Sequence, residues 1–488
     1  MIKLIKTRKW IGLLVYPFFV FTAWSANGQS PLLQAYQDVL NFDFSSPIEV
    51  QRLNDSGIPN FDLYVDNLRE VTYLLFTENE DAFDSLRRNE KPRLKKLKNV
   101  DTHSPYTDFL RAEIKIQWAF TKLKFGETWS GVWALRSAYK TIKRNIEAYP
   151  DFELNYKSLG LLHVIFGAVP DGYRWTLSLL GLEGDTQKGL EELYNIMDHR
   201  TPLQTEIRLV AALVESYLIE DHQSALALIN ESTDDLMARH YVQVLILMKS
   251  HQSAKAATIM EGVLEALKSP ETKPLFQYLL AEARFQEGKY PTARAHYRGF
   301  LQNFHGSNHT KDATFKWGLC EQFMGNGSTA EALYNRAMDI EADSEADKNA
   351  QKLMKARPFP DGSLLVIRYA IDGGFYQKAD SVFQGINIGS FPPYQQFELV
   401  YRQARMRHLQ ENFPEASKLY KEVIAKDKEL PETYFVPNSY LQLGYLEVAR
   451  GNDAMAIDYF EKVLTFRKHP YKNSLDSKAK IALKGLNK

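Results

Sequence analysis

The chain has 488 residues, of which 44% are hydrophobic and 25% charged, a balance that excludes wholesale disorder. Sixty lysines and arginines face sixty aspartates and glutamates, and four of the cations (Lys3, Lys6, Arg8, Lys9) precede the first acid, Asp38. Loss of the N-terminal segment therefore leaves 56 basic residues (60 − 4) against 60 acidic ones, and no basic footprint for nucleic acid.

Residues 1–26 read as a signal peptide: the four cations lead into an apolar stretch from Trp10 to Trp24, followed by the small residues Ser25 and Ala26. Cleavage falls after Ala26 or after Gly28. The stretch is short for a membrane span and Pro17 interrupts it, so no transmembrane segment is expected after its removal. The expectation is an exported protein of the bacterial periplasm or cell envelope. Cys320 is the only cysteine, so no internal disulfide forms and no cysteine follows the signal to carry a lipid.

Residues 27–60, with Pro31, Pro47 and Pro59, read as a loop-rich lead-in. A helical region is expected over 61–200, with helices starting near Asp62 and Asp81 and a long amphipathic run from Tyr106 to Phe125. Trp118, Trp129, Trp133, Tyr139 and Tyr149 make this region rich in rings, which core packing explains unless some of them stay exposed as a ligand platform. Short breaks at glycine or proline and scarce strand patterns predict an all-α fold.

Over 201–470 a fixed pattern recurs. A turn residue is followed five positions on by alanine and nine positions on by an aromatic: Gly288, Ala293, Tyr297; Gly325, Ala330, Tyr334; Gly374, Ala379, Phe383; Glu411, Ala416, Tyr420; Gly451, Ala456, Phe460. Seven positions before each turn stands a small residue, Ala281, Gly318, Ala404 or Gly444, with Ile367 as the exception. Weaker copies are phased at Ala256 with Met260 and at Ala225. Small residues let two helices cross closely, and rings fill the gaps between neighbouring pairs. Residues 471–488 are expected to form a capping helix.

The pattern over 271–466 resembles the tetratricopeptide-repeat superfamily. That resemblance implies a right-handed superhelical solenoid of helical hairpins, holding a protein or peptide partner in a concave groove lined by first helices. Residues 160–193, with Gly160, Pro170 and the run Gly189-Leu190-Glu-Glu-Leu193, are also weakly similar to the inclusion-body-clearance proteins, themselves repeat solenoids.

Counting along each first helix away from its small residues places Tyr278, Glu282, Phe285, Phe315, Arg368, Tyr401, Arg405 and Tyr445 in the groove, with the two arginines able to grip a carboxylate.

Catalytic and metal patterns are weak. Gly325-Asn-Gly-Ser-Thr-Ala330 fits the dinucleotide fingerprint by letter, but a helix rather than a strand precedes it. Cys320 reads as buried and inert, His305 and His309 as loop residues, and the pairs Glu191-Glu192 and Asp234-Asp235 as solvated helix faces. No cofactor is expected. The leading expectation is a non-catalytic exported adaptor. A glycan-binding module of the outer membrane is the alternative, and an enzyme with an unrecognised N-terminal site a second one.

Overall fold

The computed structural model describes residues 31–44, 57–99, 104–169, 171–197, 199, 201–231, 235–426 and 433–486. The expected signal peptide lies outside the described residues. Among them every regular element is a helix, so the all-α expectation holds.

The lead-in is less loop-like than expected. Pro31–Leu40 forms α1, with Pro31 at its start, where a helix needs no N–H, and Leu32, Tyr36, Val39 and Leu40 turned into the core. Tyr36 meets Phe61 edge-on at 5.2 Å, which seats α1 against α2 (Phe61–Thr77). Next come α3 (Glu80–Leu86) and α4 (Glu90–Asn99), then the long pair α5 (Pro105–Lys124) and α6 (Thr128–Ala148). After them run α7 (Asn155–Gly167), α8 (Asp171–Leu180), α9 (Thr186–Met197), α10 (Gln204–Val214), α11 (His222–Asn230), α12 (Met237–Lys249) and α13 (Ser253–Ala266). The repeat region continues with α14 (Lys273–Glu287), α15 (Tyr290–Asn303), α16 (Thr310–Phe323), α17 (Gly327–Asp339) and α18 (Glu345–Lys355). It ends with α19 (Gly362–Gly373), α20 (Tyr376–Gly385), α21 (Pro393–Leu409), α22 (Phe413–Ala425), α23 (Phe435–Ala449) and α24 (Asp453–Thr465), and α25 (Lys472–Leu486) follows.

The chain forms two compact units: Met1–Ser250, Lys255–Glu282 and Pro291–Gln351 in one, His251–Ala254, Ala283–Tyr290 and Lys352–Lys488 in the other.

One turn joins the helices of most hairpins. The helix ends in a left-handed residue, and the next N–H reaches back five positions to a carbonyl, which satisfies the last turn of the helix. Lys289 N–H donates to the Arg284 carbonyl at 2.9 Å, Asn326 to Glu321 at 2.8 Å, Phe375 to Ala370 at 2.8 Å, Asn412 to Arg407 at 2.8 Å and Asn452 to Glu447 at 2.9 Å. The left-handed residues are Gly288, Gly325, Gly374, Glu411 and Gly451, the turn residues of the sequence pattern. His251 and Glu220 hold the same conformation five residues before Ala256 and Ala225.

The alanines 293, 330, 379, 416 and 456 are all buried, as are Ala281, Ile367 and Ala404. At Gly318 a Cβ would stand 2.6 Å from the Tyr334 ring, and at Gly444 it would stand 2.4 Å from the Phe460 ring. Small residue and aromatic thus meet across each of these hairpins, as the repeat pattern requires.

One hairpin escaped the sequence pattern. Gly126 is left-handed, Glu127 N–H donates to the Lys122 carbonyl at 2.8 Å, and Ala119, Gly131 and Leu135 hold the positions at −7, +5 and +9. The α5/α6 pair is therefore built in the register of the later repeats, with glycine replacing alanine and leucine replacing the ring. The described chain is a tetratricopeptide-like array of hairpins. In its second unit α21 packs against α19, α22 and α23, while α25 packs on α23 and α24 with Leu475 and Ala479 buried.

Candidate binding site

The expected groove residues do not form one surface. Tyr278 is buried, donates its hydroxyl to Asp312 Oδ2 at 2.8 Å and lies against the rings of Tyr297 and Phe300. Glu282 accepts from Tyr297 at 2.5 Å and from Lys316 Nζ at 2.6 Å, and Lys316 also reaches Asp312 at 2.9 Å. That network is satisfied from within and leaves nothing for a ligand. Phe315 is buried against Tyr334, and Phe285 against Tyr290 and Tyr369. Tyr401 is buried too, accepts from Asn438 Nδ2 and meets Phe435 at 4.8 Å. Tyr445 is half-buried, its ring edge-on to Phe460 at 5.3 Å. These rings fill spaces between helices and do not line a groove. A first helix in a stack is covered on several sides, so its apolar residues are buried on more than the face opposite the small residues.

The two arginines separate. Arg405 is committed to Gln442 of the next first helix, at 2.7 Å from Nη1 to Oε1. Arg368 is not. Its Nε is sealed from solvent and meets no hydrogen-bond acceptor among the described residues, and its guanidinium stands only over the Tyr369 ring, 5.8 Å from the centroid.

Two further cations surround Arg368. Burial first, and then the like charge of Arg402, oppose the charge on Arg368, while Tyr369, Glu398 and Tyr434 favour it and hold its pKa above the ordinary arginine value. Lys352 is pulled below the ordinary lysine value by burial and by the Arg368 charge, against Glu398. Arg402 is anchored: Nη2 donates to Glu398 Oε1 at 2.9 Å and to the Tyr434 hydroxyl at 3.0 Å, and Asp372 approaches at 3.9 Å. Half-exposed Tyr394 edges the same charges, its hydroxyl pushed up to about 12 by burial and by Glu398.

The result is a cluster of Lys352, Arg368 and Arg402 against Glu398 and the outlying Asp372. One guanidinium is fixed by its neighbours, and another has a buried donor and no acceptor. Such a cluster can hold an anion, with Arg368 supplying the unused hydrogen-bonding capacity. Reading the first helices selected Arg368 but missed its neighbours. The Glu398–Arg402 pair, spaced i,i+4 on α21, was the available signal.

The other candidates are structural. Cys320 is buried, and burial raises its thiol pKa, the opposite of the shift that activates a nucleophilic cysteine. Gly325 and Gly327 lie at a hairpin turn after a helix, as expected. His309 precedes α16 in a left-handed conformation, and burial lowers its pKa to about 4. Glu192, expected on a solvated face, is buried and meets His163 Nδ1 at 2.7 Å across α7 and α9. Among the described residues no group of three or more His, Cys, Asp or Glu is placed to hold a metal ion, and no helix is long and apolar enough to cross a membrane.

No family model and no curated protein matches the chain. Among solved structures it is similar to the TPR domain of P58(IPK), 14% identical over 87% of this chain and 99% of that one, with a TM-score of 0.22. A human IFIT1 dimer with PPP-AAAA is 12% identical over 94% of this chain and 99% of that one, with a TM-score of 0.34. Yeast Tom70 is 12% identical over 94% of this chain and 82% of that one, with a TM-score of 0.24. None of the three is an inclusion-body-clearance protein, and the likeness of residues 160–193 to that family rests on spacing alone.

Proposed function

We propose that this tetratricopeptide-like protein is a non-catalytic binding protein, exported to the cell envelope, whose second unit takes an acidic segment of a partner protein at Lys352, Arg368 and Arg402. The observation that carries the reading is the half-buried Arg368 guanidinium, which makes no hydrogen bond among the described residues, beside two further cations. A carboxylate does not reach the sealed Nε, but it can accept from the terminal guanidinium nitrogens of half-buried Arg368, where a charge-assisted hydrogen bond contributes about 1.5 to 3 kcal/mol. Tyr394 and Tyr434 supply rigid apolar contact beside the charges.

The test is a titration of the full chain with a fluorescein-labelled peptide ending in two aspartates, and with its amidated, asparagine-containing counterpart. The acidic peptide is expected to bind more tightly, with affinity falling as salt rises. Arg368→Ala should weaken it at least about tenfold, the value of one charge-assisted hydrogen bond. Equal affinity for the two peptides, or an unchanged Kd in the variant, would refute the assignment.

A further inference from the structure

Four of the large apolar side chains exposed among the described residues belong to two helices of the first unit. On α6, Trp129 is 48% and Trp133 52% exposed; on α8, Trp175 is 52% and Leu179 68% exposed. Each pair is spaced i,i+4, so it lies along one helix face. Arg136 ties the two helices together, its Nε donating to the Leu180 carbonyl at 2.7 Å while its guanidinium covers the Trp133 ring at 5.3 Å. The inner side of α8 is already used, since Leu177 and Leu180 pack on the core. Its outer side is apolar as well, which no demand of the fold explains.

Cations stand on α6 beside the rings. Lys140 and Lys143 are exposed on α6 and have no acidic partner among the described residues. Of the acids on α6 and beside it, Glu127 is bound by Arg87, Glu183 accepts from Tyr139 at 3.5 Å, and Glu147 lies at the far end of α6. The indole N–H groups of Trp118 and Trp317 donate to Asn67 and Glu321, whereas those of Trp129, Trp133 and Trp175 meet no acceptor among the described residues.

We infer that Trp129, Trp133, Trp175 and Leu179 form a docking face for an anionic membrane surface. The rings and the leucine enter the boundary between headgroups and acyl chains, and Lys140 and Lys143 meet the lipid charge. Indoles favour that boundary because the ring is apolar and its N–H finds headgroup oxygens. A leucine exposed beside them finds no use in stacking on a sugar, but it gains from acyl chains. Unpaired lysines flanking the rings match the negative potential of anionic lipids.

Ser130, exposed between the two tryptophans of α6, offers a local probe. Ser130→Cys in the full chain, labelled with an environment-sensitive fluorophore, reports on this face alone, because buried Cys320 stays unlabelled. The double variant Trp133→Ala with Leu179→Ala separates binding at this face from binding through the apolar N-terminal stretch, which it leaves intact. Vesicles of phosphatidylglycerol and phosphatidylcholine should shift its emission to the blue. Pure phosphatidylcholine or high salt should weaken the effect. Trp133→Ala with Leu179→Ala should lower the partition coefficient at least about tenfold, with the circular dichroism spectrum unchanged. A label that ignores both kinds of vesicle overturns the inference. So does a shift unaltered in the double variant, or one produced instead by a soluble glycan or by a second copy of the chain.

Discussion

Gly160 of α7 and Gly189 of α9 meet backbone to backbone. A Cβ on Gly160 would stand 2.8 Å from the Gly189 carbonyl oxygen, and one on Gly189 would stand 2.5 Å from that of Gly160. The next contact along the chain repeats the device, where a Cβ on Gly184 would lie 2.2 Å from the Phe166 carbonyl carbon. The glycine spacing of residues 160–193 is thus accounted for by a close helix crossing. Gly160→Ala and Gly189→Ala should each cost about 1 to 3 kcal/mol, since backbone must move to admit the methyl group. Urea unfolding checks this, and an unchanged midpoint in both variants would mean that the helices do not cross there.

The repeat turns offer a reciprocal pair. Glu411 is left-handed with φ of 60°, where the equivalent residue of the next hairpin is Gly451, with φ of 76°. A side chain in that conformation costs about 1 to 2 kcal/mol, partly offset by the extra freedom glycine gives the unfolded chain. Glu411→Gly should therefore stabilise by about 0.5 kcal/mol, and Gly451→Glu should destabilise by about the same amount. Space is no obstacle at Gly451, because a Cβ there meets nothing within 4 Å. Thermal melts with the same sign for both variants would contradict this account.

How much of this was legible in the sequence follows from which interactions are local. Turn glycine, packed alanine and ring lie within one hairpin, so their spacing survives in the sequence and identified the register from Gly288 to Phe460. The α5/α6 hairpin keeps the geometry with Gly131 and Leu135, residues that carry no distinctive letter, and so passed unnoticed. Contacts between hairpins were the weak point. Nothing local distinguishes Tyr401, covered by Phe435 of α23, from a ring that faces solvent, and Arg402 gains its meaning only from Arg368 on another helix.

A buried charge centre in the first unit gives a pH test. Lys157 Nζ donates to Glu113 and lies 2.8 Å from Glu206 Oε2, while the Tyr64 hydroxyl donates to Glu206 Oε1 at 2.6 Å. One ammonium thus serves two carboxylates. Burial pushes Glu206 up to about 7, although Lys157 opposes it. A folded pKa above the unfolded value means stability that is fully present below about 4.5 and lost as pH rises through about 7. The wild type should lose about 1 kcal/mol per pH unit between about 5 and 7 from this group. Glu206→Gln removes that dependence, so its stability relative to the wild type should improve as pH rises. A difference that stays constant from pH 5 to 8 would show that Glu206 does not titrate in this window.

Arg368 supplies the sharpest separation between a structural and a binding role. A cation held for stability is paired, and replacing it destabilises; a cation held for a ligand burdens the empty protein. The buried Nε of Arg368 meets no acceptor among the described residues, and the like charges of Arg402 and Lys352 stand near it, while Tyr369, Glu398 and Tyr434 favour its charge. Methionine approximates the length and flexibility of the aliphatic stem and can lie against the Tyr369 ring as the guanidinium does. Arg368→Met removes the unsatisfied donor and the repulsion from Arg402 but also the attraction of Tyr369, Glu398 and Tyr434, so the stability of the unliganded protein should change by less than about 1 kcal/mol. The same variant should bind the acidic peptide more weakly and with a shallower salt dependence, since one cation of the cluster is gone. Parallel denaturation and titration of one preparation provide both numbers. A loss of about 3 kcal/mol or more, the cost of breaking a buried ion pair, would show that Arg368 serves the fold, and the cluster would then have no claim to a ligand.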